Sequence, residues 1–402
     1  MNNIKLDFPI LDKKIRDKAI TYLDSAASTQ KPKQVINSIS EFLENSYENV
    51  HRGMNSLSID ATDLYEKSRD VAKSFINSNS TNEIIFTRGA TDSINIIANS
   101  LAENLKEGDK IVVTELEHHS NYLPWMNLCK KLGLELKIIP ISKDGILSED
   151  DIINNCDDST KVLSLTHMSN VTGQILDIKK IKKSINKDTY VAVDGCQSIA
   201  HLKIDVKDLD CDFYSFSSHK LYGPSGIGIM YGKEDILNKL NPPTLGGGMI
   251  NEVSSNDFSY AMLPNKFEPG TPSIEAAIGF KTAMEYLNNN NYQDYFLNEK
   301  KLRSTLIKAL REFKEVDIYG SNEDGNATSI VSFNIKNQNF NDIATFLDQY
   351  GIMIRGGHHC CQPFMKKLGI PGSCRVSFGI YNDLNDIDHF IDSLKKTLKL
   401  LQ

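Results

Sequence analysis

The 402-residue sequence contains no apolar run near the roughly 18 residues needed to cross a bilayer, and its mean hydropathy is −0.33. It also lacks an excess of positive charge: 45 lysines and arginines against 52 aspartates and glutamates give a formal net charge of −7. Nucleic acids and anionic membrane surfaces attract basic proteins, so the composition argues against both kinds of partner. The opening stretch, MNNIKLDFPILDKKI, interleaves charged and apolar residues and has no export-signal pattern, so we expect a cytoplasmic protein.

Cysteine is sparse as well. The seven cysteines are an odd number, lie far apart for the most part, and include no C-x-x-C pair. This pattern argues against a disulfide framework and against a zinc ribbon. The hydrophobic share of 40% and the charged share of 24% are ordinary for globular proteins, which excludes a disordered or fibrous chain.

Short β-branched runs alternate with amphipathic stretches through the first two thirds of the sequence. Several runs, such as KIVVT at 110–114, are apolar throughout, which is typical of strands buried on both faces. We therefore predict an α/β fold with a large, doubly wound, mainly parallel sheet, followed by a smaller α+β domain. The predicted organisation is an N-terminal segment (1–20) packing on the small domain, a large domain (21–285) and a small domain (286–402).

Two predicted strand ends carry side chains suited to chemistry. Asp194 follows the run YVAV, at the position where α/β folds bind ligands, and its carboxylate suits a protonated ring nitrogen. Taken alone, Asp194 is equally typical of a helix N-cap. Ser217, His219 and Lys220 follow the run DFYSF and resemble a phosphate cradle that carries an amine. Most lysines are surface charges, but one held away from water is a nucleophile toward aldehydes.

Two further motifs follow predicted strands. The segment RGATD at 88–92 offers backbone N–H groups at a helix start and the Thr91 hydroxyl, which together suit an anion. By itself, Thr91 is more typical of an ordinary N-cap. His118 and His119 follow KIVVT, where a histidine can stack on an aromatic cofactor and move protons near neutral pH. Adjacent residues rarely face one site, so we expect one of these histidines to be structural.

The segment RGGHHCCQP at 355–363 contains two adjacent cysteines, Cys360 and Cys361. The two glycines predict a mobile loop, and the flanking histidines favour a thiolate. A metal site is the main rival interpretation, but ligands without spacers do not match the usual gaps between zinc ligands, so we predict no metal. A buried, inert thiol is a second alternative, although Gly-Gly-His-His is a poor wall for an apolar pocket.

Together, these motifs resemble the Suf-type (group II) cysteine desulfurases, which belong to the class V aminotransferase-like enzymes of pyridoxal-phosphate fold type I. The resemblance runs nearly from end to end, and the short loop around Cys360 favours the Suf-type branch over the Isc-type branch. The matching motifs, in order, are YLDSAAS (22–28), HRG (51–53), RG (88–89), EHH (117–119), VDG (193–195), SHKLYGP (218–224), FEPGTP (267–272) and RGGHHCCQP (355–363).

The resemblance implies pyridoxal 5'-phosphate as the cofactor, bound covalently by Lys220. Asp194 would pair with the ring nitrogen, Gln197 would hydrogen-bond the ring hydroxyl, and His118 would stack on the ring. The phosphate would be held by a further set of residues, one of them from a second subunit of a homodimer with shared active sites. This set comprises Ala90, Thr91, Ser217, His219 and the second subunit's Thr271.

The resemblance also implies the reaction. Arg375, Asn170 and Arg355 would bind the carboxylate of L-cysteine, and Cys360 would take its sulfur as a persulfide and leave L-alanine. A Suf-type acceptor protein would then receive the sulfur for iron–sulfur cluster assembly.

Two positions depart from the family pattern. In that family, the position of Cys361 usually holds a small residue whose side chain is not a nucleophile, and the position of Ala90 often holds threonine. Two alternatives stay open: another enzyme on this scaffold, such as a selenocysteine lyase, a cysteine sulfinate desulfinase or a further class V enzyme, and a non-enzymatic metal- or nucleotide-binding module.

Overall fold

The structure is a computed structural model that describes residues 4–313, 315–320 and 326–401. The α-helices are α1 (Lys33–Asn45), α2 (Ser56–Phe75), α3 (Ala90–Leu101), α4 (His119–Leu132), α5 (Glu149–Asn154), α6 (Ile178–Ser184), α7 (Ser198–His201), α8 (Val206–Leu209), α9 (Glu234–Lys239), α10 (Ile274–Asn289), α11 (Tyr292–Arg311), α12 (Phe340–Asp348), α13 (Gln362–Leu368) and α14 (Leu384–Leu401). Short 3₁₀ turns span Ile4–Asp7, Pro9–Asp12, Thr81–Glu83, Ala102–Asn104, Ser218–Lys220 and Asn265–Phe267.

The strands are β1 (Lys14–Ile15), β2 (Lys18–Ala19), β3 (Thr21–Tyr22), β4 (Ile84–Thr87), β5 (Lys110–Thr114), β6 (Glu135–Ile139), β7 (Thr160–Thr166), β8 (Tyr190–Asp194), β9 (Phe213–Ser217), β10 (Gly228–Gly232), β11 (Ile250–Val253), β12 (Phe258–Tyr260), β13 (Val316–Tyr319), β14 (Ile330–Ile335), β15 (Ile352–Met353), β16 (Arg355–Gly357) and β17 (Ser373–Ser377).

The large sheet has seven strands in the order β4-β10-β9-β8-β7-β5-β6. Strands β9, β8, β7, β5 and β6 pair in parallel, whereas β10 runs antiparallel to both of its neighbours. Every residue of β5 is buried, as the uninterrupted apolar run predicts for a central strand. The predicted α/β class with a mainly parallel sheet is confirmed; the direction of β10 was not predicted, because an apolar run carries no information about strand direction.

The carboxyl ends of the parallel strands meet at one edge of this sheet. Strand β5 leads into His118, β7 leads toward Asn170, β8 ends at Asp194, and β9 leads into Lys220. Residues far apart in sequence therefore come together at the position where α/β sheets bind ligands.

A smaller antiparallel sheet, in the order β13-β14-β17-β16, packs against α11, α12 and α14 around a separate apolar core. Leu23 belongs to this core, and β3 pairs in parallel with β15, so the chain just after residue 20 is part of the smaller unit. The predicted domain boundaries stay predictions. Among the described residues, none of the helices combines the length and apolarity that spanning a membrane requires.

Candidate active site

A cleft of about 280 Å³ lies at the carboxyl edge of the large sheet, beside β16 and β17 of the smaller one. All of the predicted site residues except Gln197 and Thr271 line it. The lining residues are Ala26, Ala27, Ala90, Thr91, His118, Ser120, Asn170, Asp194, Cys196, Ser217, His219, Lys220, Arg355, His359, Cys360 and Arg375. We call the part formed by Ala90, Thr91, His118, Asp194, Ser217, His219 and Lys220 the lysine end, and the part formed by Asn170, Arg355, His359, Cys360 and Arg375 the thiol end.

The two exceptions lie elsewhere. Gln197 is buried beside the cleft, and its Nε2 donates to the carbonyl of Ala26 at 2.9 Å. Thr271 is exposed and lines a separate cleft of about 390 Å³ together with Arg88 and Glu268. Within one chain, Thr271 therefore does not meet Lys220.

Asp194 and Lys220 form the chemical centre of the lysine end. Asp194 is buried at the end of β8, and its Oδ1 accepts the backbone N–H of Cys196 at 3.0 Å. The residue at the N-cap of the following helix, α7, is Gln197, so the interpretation of Asp194 as an N-cap is wrong. Lys220 stands in the 3₁₀ turn directly after β9, where the strand end fixes its backbone.

A second buried carboxyl, Glu117, lies directly before His118. Thr114 Oγ1 and Asn121 Nδ2 donate to it at 2.7 and 2.6 Å. Burial raises the pKa of Glu117 to about 8, so the group is mostly neutral at pH 7. The sequence did not predict that Glu117 is buried and mostly neutral, because a glutamate after a strand carries no sign of complete burial.

The N-terminus of α3 provides a place for an anion. Gly89 is the N-cap, with φ +148°, and the backbone N–H of Ala90 donates to Ser217 Oγ at 2.8 Å. A side chain at Gly89 would put its Cβ 3.3 Å from Ser217 Oγ, so glycine keeps this corner open. Thr91 is the second residue of α3 and does not cap it, which excludes the N-cap interpretation. Unpaired N–H groups and the helix dipole at such an end favour a phosphate.

His118 and His119 divide their roles, as expected for adjacent residues. His118 lines the cleft, and its Nδ1 accepts the backbone N–H of Ser120 at 3.1 Å, which leaves the ring proton on Nε2. Burial, reinforced by the charge of Lys220, lowers the pKa of His118 to about 3, so the ring is neutral. His119 instead holds residues 355–361, the thiol segment, which carries Cys360. Its backbone N–H donates to the carbonyl of Cys360 at 2.7 Å.

Ser120 was not predicted, although it follows the EHH motif directly. Its hydroxyl lies 2.7 Å from Thr91 Oγ1 and 3.1 Å from His118 Nδ1. Ser120 therefore connects the N-terminus of α3, where an anion can bind, to His118.

The thiol segment begins as a strand, although its two glycines predict a loop. Gly356 and Gly357 are paired with Cys374 and Ser373 in the β16–β17 ladder, so the prediction of a loop at these positions is wrong. The reason is close packing: a Cβ on Gly356 would approach the carbonyl oxygen of Phe340 to 3.0 Å. The turn comes after the strand, where His359 and Cys360 both adopt positive φ, at 51° and 54°. Such angles are uncommon for residues other than glycine and often mark functional sites.

The two adjacent cysteines lie in opposite environments. Cys360 is exposed and lines the cleft, whereas Cys361 is completely buried. The Sγ of Cys361 donates to the carbonyl of Glu117 at 3.3 Å, and burial raises the pKa of its thiol. Since the thiolate is the reactive form, Cys361 is a poor nucleophile in this position.

Two arginines form the polar wall of the thiol end. The buried Arg375 donates from Nη1 to the carbonyl of Asn170 at 2.9 Å and from Nη2 to Asp24 Oδ1 at 3.1 Å. Its Nε has no hydrogen-bond partner among the described residues. Asn170 Nδ2 donates to the carbonyl of His359 at 2.8 Å and so holds the segment that carries Cys360. Burial lowers the pKa of Arg375, and Asp24 counteracts this shift.

The rival metal site has little support in the geometry. Within the described part of the chain, no group of three or more histidine, cysteine, aspartate or glutamate side chains could hold a metal ion.

Comparisons with known proteins agree with this geometry. The family model for class-V aminotransferases matches residues 21–390. A probable cysteine desulfurase of Staphylococcus epidermidis is 44% identical over 393 residues, covering 97% of this chain and 95% of that protein. A cysteine desulfurase from Thermococcus onnurineus has the same fold, with a TM-score of 0.93, 36% identity and coverage of 99% and 98% of the two chains. The cysteine desulfurase CsdA from Escherichia coli superposes with a TM-score of 0.91 and 33% identity over 100% and 99%.

Proposed function

We propose, from the premise that this chain belongs to the aminotransferase class-V family, that it is a pyridoxal-phosphate-dependent cysteine desulfurase that converts L-cysteine to L-alanine. One observation carries the proposal: an amine, a carboxylate, two guanidinium groups and an exposed thiol line a single cleft. These are Lys220, Asp194, Arg355, Arg375 and Cys360. The set supplies a group for each requirement of the reaction, from binding an aldehyde cofactor to accepting a sulfur atom.

The lysine end fits the phosphate of the cofactor. Gly89 leaves the N-terminus of α3 open, and hydroxyl groups of Thr91 and Ser217 lie beside it. The backbone at Ala90 and the side chain of His219 complete the predicted set. Ala90 lacks the hydroxyl that a threonine would add, and its backbone N–H, which donates to Ser217 Oγ at 2.8 Å, would position that serine at the phosphate.

The ring of the cofactor would be held by four side chains. Lys220 would bind the aldehyde covalently, Asp194 would keep the ring nitrogen protonated, and Gln197 would hydrogen-bond the ring hydroxyl. The neutral ring of His118 would stack on the cofactor, and its lowered pKa avoids placing a further positive charge beside Lys220. When bound, pyridoxal phosphate supplies an electron sink for the negative charge that develops at the substrate Cα.

The residues of the chain then perform the remaining steps. Arg375, Arg355 and Asn170 orient the substrate through its carboxylate. The amine of Lys220, displaced by the substrate amine, accepts the Cα proton. The Cys360 thiolate attacks the substrate sulfur; an S–S bond forms, the substrate C–S bond breaks, and its electron pair stays on carbon, which is protonated to give L-alanine. The sulfur remains on Cys360 as a persulfide.

The assembly we propose is a homodimer with shared active sites, in which Thr271 completes the phosphate site of the other subunit. The exposed Thr271 supports this. The cleft that it lines and a second cleft beside Thr91 and Ser217 share Arg88, Gly226 and Thr244 as walls. A two-fold axis in this region would bring Thr271 of one chain to the phosphate site of the other.

The destination and setting of the sulfur form a further part of the proposal. A Suf-type acceptor protein would take the persulfide sulfur for iron–sulfur cluster assembly, reaching it through the exposed face of Cys360. A cytoplasmic location fits this role, because an exposed reactive thiol persists best in a reducing compartment.

The adjacent cysteines provide the test of the activity. In the cofactor-loaded enzyme, Cys360→Ala should form alanine from L-cysteine at least about a thousandfold more slowly than the wild type. The matched control, Cys361→Ala, should keep about half of the activity or more, because the buried thiol is a poor nucleophile. Mass spectrometry of the peptide that carries both residues should find the added sulfur on Cys360.

Two outcomes would contradict the proposal. A Cys361→Ala variant that is inactive beside an active Cys360→Ala variant would move the nucleophile by one residue. Rapid alanine formation by Cys360→Ser would favour a selenocysteine lyase or a cysteine sulfinate desulfinase, since those reactions depend less on a protein thiol.

A further inference from the structure

Asp24 lies between the two arginines of the thiol end, and the proposed mechanism gives it no role. Its Oδ2 accepts hydrogen bonds from Arg355 Nε and Nη2 at 3.0 and 2.9 Å, and its Oδ1 accepts one from Arg375 Nη2 at 3.1 Å. The side chain of Asp24 is 13% exposed, that of Arg375 is 3% exposed and that of Arg355 is 48% exposed. One carboxylate therefore bridges a buried and a half-exposed guanidinium at the edge of the cleft.

The backbone fixes this arrangement. Asp24 forms a parallel bridge with Ser377, two residues beyond Arg375 on β17. The backbone N–H of Leu23 donates to Met353 at 2.9 Å, which ties the same segment to the strand just before Arg355. The carboxylate is thus held in register with both arginines and does not depend on a flexible side chain to reach them.

The charges at this wall sum to a single positive unit. Arg355 and Arg375 contribute two positive charges, and Asp24 cancels one of them. The α-carboxylate of an amino acid carries one negative charge, which matches the remainder. A substrate with a second acidic group would place another negative charge near Asp24, in a cleft where the screening by water is incomplete.

We propose that Asp24 is a specificity-determining positioning residue, which holds both guanidinium groups and makes the cleft prefer amino acids with one negative charge over amino acids with an acidic side chain. The inference rests on the proposed function, because it assumes that Arg355 and Arg375 bind the substrate carboxylate. It deepens that function by separating L-cysteine from L-cysteine sulfinate and L-aspartate through charge.

A purely structural role for Asp24 makes a different prediction. Its contacts also join the chain just after β3 to the smaller sheet, so loss of the side chain would lower the stability of the protein. Such a loss would change the reaction with every substrate by the same factor. Discrimination between singly and doubly charged ligands distinguishes the two roles.

The test replaces the charge and keeps the shape. In cofactor-loaded Asp24→Asn, kcat/KM for L-cysteine sulfinate should rise about tenfold relative to kcat/KM for L-cysteine, as one unit charge in a partly hydrated cleft predicts. Binding of L-aspartate, measured by calorimetry, should tighten about tenfold relative to L-serine. Asp24→Glu should restore the wild-type ratios, since it restores the charge.

The matched control is Asp383→Asn. Asp383 also forms an ion pair, with Lys5 at 3.1 Å, but its carboxylate accepts from Lys5 and from the backbone at the start of α14 and not from Arg355 or Arg375. This variant should leave both ratios unchanged. If Asp24→Asn does not fold, Arg355→Gln tests the same balance with the opposite sign and should strengthen the discrimination against L-aspartate about tenfold.

Equal ratios in the wild type and in soluble Asp24→Asn would overturn the inference, whatever the change in melting temperature; so would unchanged discrimination in Arg355→Gln. The proposed function fails separately, if the wild type forms no alanine from L-cysteine. The calorimetric comparison of L-aspartate with L-serine still tests Asp24 in that case.

Discussion

The two ends of the cleft are built in different ways. The lysine end comes from the carboxyl ends of neighbouring strands in one sheet and from the helix that follows the edge strand β4, so its geometry follows from the fold itself. The thiol end joins residues of the smaller sheet, Arg355 and Arg375, to Asn170 of the large one, and Asp24, which follows β3, bridges the two arginines. Cofactor binding should therefore survive changes that abolish the transfer of sulfur.

The change with the largest expected effect removes the chemistry that both ends share. Lys220→Ala should lower alanine formation by at least about a thousandfold and abolish the covalent attachment of the cofactor that borohydride reduction and mass spectrometry detect, because no other amine among the lining residues can bind the aldehyde. Lys266→Met is the control, because this buried lysine donates to the carbonyls of Leu237 and Asn238 outside the cleft. Cofactor that stays covalently attached to Lys220→Ala after reduction would place the aldehyde on another residue.

A change at the thiol end should separate the two regions. Asn170→Ala removes the hydrogen bond to the carbonyl of His359 and should lower kcat/KM for L-cysteine about ten- to a hundredfold, because the thiol segment loses its position and the substrate carboxylate loses a proposed partner. The dissociation constant of pyridoxal phosphate, measured by absorbance titration, should stay within about twofold of the wild-type value. A parallel loss of cofactor affinity would show that the two ends are not independent.

The position of Asp194 and Lys220 at one edge of the sheet follows directly from the local sequence. Asp194 and Lys220 follow apolar runs, and strand ends in a parallel sheet converge on one edge, so their proximity could be inferred without coordinates. The thiol end was harder to infer. Cys361 is buried against the carbonyl of Glu117, and Gly356 accommodates the close approach of Phe340; neither contact leaves a mark in the local sequence.

The helix α2 is hard to recognise in the sequence because polar residues interrupt its buried face. Arg69 and Ser68 are buried there beside Ala61 and Tyr65, which breaks the apolar periodicity that predicts a helix. Arg69 is tolerated because Glu268, on the segment that carries Thr271, pairs with it at 2.6 Å. Such a long-range pair cannot be recognised from either segment alone.

Acid should destabilise the folded protein through three histidines, which include His118 at the lysine end and His359 at the thiol end. Burial lowers the pKa of His118 to about 3, of His167 to about 4 and of His359 to about 2, each below the ordinary value near 6.5. Between each lowered pKa and the ordinary value near 6.5, the unfolded chain binds protons that the folded chain does not. Stability is therefore lost as the pH falls through this range. Glu117, whose pKa is raised to about 8, has the opposite effect and offsets part of this loss. Urea denaturation should therefore give an unfolding free energy about 2 kcal/mol lower at pH 5 than at pH 7. Equal free energies at the two pH values would contradict the assignment of these rings as neutral.

The smallest expected effect concerns one hydroxyl at the lysine end. Thr91→Val keeps the shape of the side chain and the backbone N–H groups at the start of α3 but removes the hydroxyl that lies 2.7 Å from Ser120 Oγ. Since one hydrogen bond to a charged group contributes at least about 1.5 kcal/mol, the affinity for pyridoxal phosphate should fall about tenfold, with kcat at saturating cofactor unchanged.

The matched substitution is Thr62→Val on α2. The Thr62 hydroxyl accepts the backbone N–H of His51 at 2.8 Å and donates to Ser58, and Thr62 is not among the lining residues, so cofactor affinity should not change. A fall of a hundredfold or more in Thr91→Val would mean that side chains, and not the helix N-terminus, carry most of the phosphate binding. In that case the absence of a hydroxyl at Ala90 would be a real cost to cofactor affinity, and Ala90→Thr would raise the affinity well beyond the wild-type value.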